Sequence, residues 1–162
     1  MVFVEYNRQL ALNYAKEWAY KRNDKYYNFD ELGGDCTSFV SQCIYAGAPQ
    51  MNYTPIFGWY YKNLNNRSPS WAGVEFLYNF LINNKSLGPT GRLSSANNVQ
   101  IGDIIQLGDE YENFYHTLII TSIDNGVIKV GSHTNDAFNR SLNTYSYASI
   151  RFVHITGFYR EN

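Results

Sequence analysis

An α+β fold, with N-terminal helices packed on an antiparallel sheet, is what the apolar pattern of this chain predicts. Three observations carry that expectation. Apolar residues recur at three- and four-residue steps in the first half, β-branched runs separated by short turns fill the second, and no repeat, low-complexity tract or long linker divides the two.

Leu10, Ala11, Tyr14, Ala15, Trp18 and Ala19 lie on one face of a first helix from Tyr6 to about Lys21. The polar stretch from Asn23 to Asp35 ends in Gly33-Gly34, and a second helix then opens at Cys36. Phe39, Val40, Cys43 and Ile44 form its apolar face, and Gly47 stops it ahead of Pro49. Trp71, Val74, Leu77, Tyr78, Leu81 and Ile82 predict a third helix with Ser70 as N-cap and Asn83-Asn84 at its end. After Gly88-Pro89 the pattern becomes extended: a strand at Ile104–Leu107, a hairpin of His116–Ile123 and Val127–Ser132 around Asp124-Asn125-Gly126, and a strand at Ile150–Ile155.

With 162 residues, 44% hydrophobic and 17% aromatic, the chain suits one domain over residues 1–162 with a real core. A formal charge of -1 with scattered basic residues argues against nucleic acid as partner. No apolar run approaches the roughly 20 residues of a membrane span, and Met1-Val2-Phe3-Val4-Glu5 lacks the basic and apolar segments of an export signal. A monomer is expected.

Cys36 lies where an attacking thiol belongs, since unpaired N–H groups and the positive end of the helix dipole favour thiolate. The alternative is a small buried hydrophobe. Cys43 is two turns on, roughly 10 Å away at about 1.5 Å per residue, so the two thiols are expected to be free and Cys43 to face inward. His116 opens one hairpin strand and His133 ends the other, which brings both near one sheet end. An imidazole there can take a thiol proton and return it to a leaving amine, while a third polar group, His133, Asn135 or Asp136, orients the ring. Each also has a purely structural reading, as a satisfied strand-end histidine, a hinge or a turn. Asp35 reads as an acceptor at the helix start and, beside Cys36, as a substrate-side candidate together with Trp59 and Tyr60 from an aromatic loop. Cys36, Cys43, His116, His133 and His154 show no close ligand-pair spacing, so no metal or other cofactor is expected.

The runs Asp35-Cys36-Thr37-Ser38-Phe39-Val40, Gly102-Asp103-Ile104-Ile105 and His116-Thr117-Leu118-Ile119-Ile120 resemble the papain-like cysteine hydrolases of bacterial cell walls, the NlpC-type and CHAP groups. A resemblance along nearly the whole chain is to amidase type 6 domains, carried by Tyr6-Asn7-Arg8, Trp18-Ala19, Gly33-Gly34-Asp35-Cys36-Thr37, Ser41-Gln42, Trp59-Tyr60-Tyr61, Ser70-Trp71, Leu77-Tyr78, His133-Thr134-Asn135-Asp136 and Ile150-Arg151-Phe152. It implies a papain-like α+β fold, Cys36 as nucleophile, His116 as base and, on the NlpC-type pattern, His133 as third member. Thr37-Ser38 departs from that pattern, which has Ser-Gly. The implied activity is cysteine-dependent hydrolysis of an amide in peptidoglycan, as a muramoyl-alanine amidase or a peptide endopeptidase. It would act at the bacterial wall, released as an endolysin is or as part of a longer exported protein. An acyltransferase of the same fold and a non-catalytic wall- or glycan-binding module are the alternatives.

Overall fold

A computed structural model describes all residues from 1 to 162. The chain is α+β. In order it forms β1 (Val2–Val4), α1 (Arg8–Trp18), α2 (Cys36–Gly47), β2 (Tyr61–Asn63), β3 (Asn66–Arg67), α3 (Pro69–Ala72), α4 (Val74–Asn83), β4 (Gly88–Ser94), β5 (Ile104–Gly108), β6 (Phe114–Asp124), β7 (Val127–Ser132), β8 (Ala137–Ser141) and β9 (Ser149–Arg160). Seven strands make one antiparallel sheet in the order β1-β9-β5-β6-β7-β8, with β4 also on β9. Val153 pairs with both Leu93 and Ile104, so β4 and β5 flank β9 on opposite edges.

The helix expectations meet specific local reasons. Asn7 caps α1 by accepting a hydrogen bond from the Leu10 N–H, while Ala11 and Ala15 bury its inner face. α2 spans the expected residues, but every residue from Cys36 to Ile44 is buried, so this helix lies inside the molecule rather than on its surface. The expected third helix is two. Gly73 adopts extended backbone between α3 and α4, and a Cβ there would come within 2.8 Å of both Phe76 and the Pro69 carbonyl. Ser70 does not cap a helix; its hydroxyl donates to the Gly58 carbonyl.

Period-two alternation sorts the sheet into two faces. Ile104, Ile119, Val153 and Ile155 pack under the helices with Phe39, Val40, Cys43, Ile44, Trp59 and Trp71. Ile105, Leu107, Leu118, Ile120, Ile128 and Val130 form a second cluster on the other face. The β6–β7 hairpin turns at Asn125 and Gly126, both with positive φ, as a two-residue primed turn requires.

Asp103 joins the two ends of the chain to the sheet. Its carboxylate is fully buried and accepts from Arg8 Nη1 at 2.7 Å, His154 Nδ1 at 2.9 Å, the Ile155 N–H at 2.9 Å and the Gln100 N–H at 2.8 Å. His154 is thereby a clamp of β9. Removing the carboxylate strands these donors, so Asp103→Ala is expected to lower unfolding free energy by about 3–5 kcal/mol in urea titrations; a loss under about 1 kcal/mol would contradict this role.

Candidate active site

Cys36 occupies the first turn of α2, 6% exposed, with its sulfur 3.8 Å from Thr37 Oγ1. Backbone donors of Thr117 and Thr37 also approach the sulfur. Yet burial, with the Asp35 charge adding to it, pushes the thiol pKa up, so the resting sulfur keeps its proton despite the helix start. Cys43, fully buried, is pushed up further by burial.

A file of polar groups ends at the Cys36 sulfur. Arg151 is held between the rings of Tyr78 and Phe114, at 3.5 Å and 3.8 Å from their centroids. It donates through Nε and Nη2 to Gln106 Oε1 at 2.8 Å and 2.6 Å. The Gln106 amide nitrogen therefore points the other way, to the Val74 carbonyl and to Thr117 Oγ1 at 3.3 Å. Thr117 and Thr37 hydroxyls meet at 2.8 Å. Because the Gln106 nitrogen can only donate, the file is satisfied when Thr117 donates to Thr37 and Thr37 to the sulfur.

His116 begins its side chain one residue from Thr117, at the same sheet end, but on the row that faces the second cluster and an open cleft. No hydrogen bond joins its ring to the thiol. Its Nε2 lies 3.1 Å from Ser132 Oγ, and Ser132 donates its single hydroxyl proton to the His133 carbonyl at 2.6 Å. Ser132 therefore accepts from His116, which puts the ring proton on Nε2 and leaves Nδ1 as a lone pair. Burial, aided by the nearby Arg140 charge, lowers the ring pKa to about 4, so the imidazole is neutral near pH 7.

The expected orienting groups lie elsewhere. None of His133, Asn135 and Asp136 hydrogen-bonds the His116 ring; Ser132 does. His133 is buried on the helix side of the sheet, stacked on Phe39 at 4.0 Å. Its Nδ1 meets Asp35 at 2.6 Å and its Nε2 the Trp18 carbonyl at 2.8 Å. Asp136 forms a paired contact with Arg22, and Asn135, at φ 56°, lines the cleft without a hydrogen bond to the ring.

The substrate-side candidates are corrected too. Asp35 is 1% exposed and accepts from the Phe29 N–H at 2.9 Å and from His133, with none of the donors of α2 itself, so it cannot meet a substrate. Trp59 is fully buried, donating to Ser41 Oγ and packed on Trp71, because its loop folds inward under α2. Tyr60 is half-buried against Tyr53 and lies outside the cleft. Sequence reasoning missed Ser132, Thr117 and Gln106. Strand alternation was the available signal, since Gln106 and Thr117 are register partners on one face.

A family model described as "Putative amidase domain" matches residues 5–156. The protein YhbB of Bacillus subtilis, named as uncharacterized, is 34% identical over 125 residues, covering 75% of this chain and 39% of its own length. YjcM of the same organism, named likewise, is 25% identical over 142 residues, covering 83% of this chain and 32% of its own. The chain thus spans about a third to two-fifths of these relatives' length. No solved structure matches.

The unfolded chain binds the His116 proton between pH 6.5 and about 4 while the folded chain refuses it. The stability contributed by the neutral ring is therefore full above pH 6.5 and falls as pH drops toward about 4. His116→Gln is expected to flatten that decline in urea midpoints measured across the window, and the ring protons in wild-type NMR spectra should titrate near pH 4; titration near 6.5 would contradict the burial described.

Proposed function

We propose that this chain, which belongs to the amidase-domain family matched along residues 5–156, cleaves amide bonds of bacterial peptidoglycan through a covalent intermediate on Cys36. One observation carries the reading: Ser132 sets the His116 tautomer, so a neutral ring keeps an unpartnered Nδ1, and His116 is the strand neighbour of Thr117, whose backbone approaches the Cys36 sulfur. A base needs a lone pair, and this ring keeps one. Peptidoglycan as substrate, cleaved at the muramoyl-alanine link or within its peptides, rests on the wall-hydrolase motifs around Cys36, Asp103 and His116. The papain-like arrangement rests on the same motifs and on the helix-start thiol beside an antiparallel sheet.

In this mechanism the Cys36 sulfur attacks the amide carbon as its proton passes to His116 Nδ1. Unpaired N–H groups of the first turn of α2 face the oxyanion. Collapse expels the amine, which takes the proton back from Nδ1 and leaves a thioester on Cys36. Water, deprotonated by the same nitrogen, then releases the acid. The Thr37 hydroxyl steadies the sulfur's negative charge as it forms, and Ser132 steadies the imidazolium by accepting from Nε2.

Digestion of purified walls, with the new amine and carboxyl ends identified by mass spectrometry, tests the reading. Cys36→Ala is expected to cut turnover by about a thousandfold or more with its melting temperature unchanged. His116→Ala should cost about a hundred- to ten-thousandfold, and Ser132→Ala about ten- to a hundredfold with an altered pH profile. Wall digestion unimpaired in Cys36→Ala sinks the proposal.

A further inference from the structure

The cleft beside His116 has a volume of about 340 Å³ and carries one guanidinium on its wall, that of Arg140. Arg8, Arg22 and Arg151 each pair with a carboxylate; Arg140, like Arg67, Arg92 and Arg160, has none, and of these it alone lines this cleft. Its Nε donates to Thr144 Oγ1 at 2.8 Å and its Nη2 to the Thr144 carbonyl at 3.0 Å, which leaves Nη1 without a partner. The guanidinium lies over the Tyr145 ring at 3.8 Å, so its plane is held in place. The Tyr145 hydroxyl is buried with the Arg140 side chain beside it, and its ring lines the same cleft. A guanidinium with no carboxylate partner at a cavity wall leaves room for an acceptor from outside the chain.

We infer that Arg140, held flat on the Tyr145 ring, forms a carboxylate-binding subsite, which narrows the substrate to peptides carrying a free carboxylate near the amide presented to His116. The inference rests on the amidase reading for its substrate. An ionised carboxylate accepts two hydrogen bonds from the edge of a fixed guanidinium, a match that a carboxamide loses because its NH2 group cannot accept. Peptidoglycan stem peptides offer such groups. The left-handed residues Thr134 and Asn135 also line the cleft, and Thr134 Oγ1 lies 3.6 Å from where a Cβ on Gly34 would sit. The subsite thus adjoins the loop that leads into Cys36.

Binding to Cys36→Ala protein, measured by calorimetry, separates this subsite from catalysis. The probes are the tripeptide L-Ala-γ-D-Glu-L-Lys and the same peptide with both carboxyls converted to carboxamides. The carboxylate form is expected to bind about tenfold or more tightly than the carboxamide. Adding Arg140→Gln should erase that preference, and Arg140→Lys should restore part of it. Equal affinity for the two peptides, absence of binding by the carboxylate form, or a preference that survives Arg140→Gln would overturn the subsite. Wild-type protein that binds the tripeptide with this preference yet cleaves no wall amide would refute the amidase reading alone.

Discussion

A single buried carboxylate, Asp35, determines where both reacting side chains of the proposed mechanism stand. Charge removed from water is tolerated only with full partners, and Asp35 has them in the Phe29 N–H, the His133 ring and, at 3.7 Å, Arg22. On one side it fixes the residue before Cys36 and so the start of α2. On the other it holds His133, whose carbonyl takes the Ser132 proton and thereby decides which nitrogen of His116 is free. The proposed nucleophile and base are thus positioned from the same two oxygens.

The resting pair these constraints produce is uncharged. Burial and Asp35 keep the thiol protonated, and burial with Arg140 keeps the imidazole neutral. An ion pair at rest would be costly with the sulfur so deeply buried. In the proposed mechanism charge instead develops during attack, where the Thr37 hydroxyl, the first-turn N–H groups and Ser132 stand ready to stabilise it. Neutrality at rest also suits a neighbouring guanidinium, since a protonated ring beside Arg140 would repel it.

Much of the fold was legible from periodicity, because α2 and the β6–β7 hairpin carry strong apolar patterns bounded by glycine. The edge strands were not. β4 contains two glycines and a proline and holds its place by pairing with β9 rather than by propensity. α3 and α4 read as one helix because Gly73 interrupts the spacing without disturbing it. At the site, Cys36 and His116 stood out by residue type and position, whereas Ser132 did not, since its part depends on a register that only the paired strands define. Trp59 misled for a physical reason: an aromatic in a polar loop can line a groove or fill a core, and composition does not distinguish the two.

The clamped Arg151 gives the polar file a direction. Gln106 is nearly symmetric in shape, and its amide could sit either way round but for the planar fork that demands an oxygen. Were the amide reversed, Thr117 would donate to Gln106, Thr37 to Thr117, and the sulfur would have to supply the last proton instead of receiving one. A lysine at that position would keep the charge yet lose the two-pronged grip. The readiness of Cys36 to become an anion is thus set like the sense of a one-way valve, by the handedness of an amide three hydrogen bonds upstream.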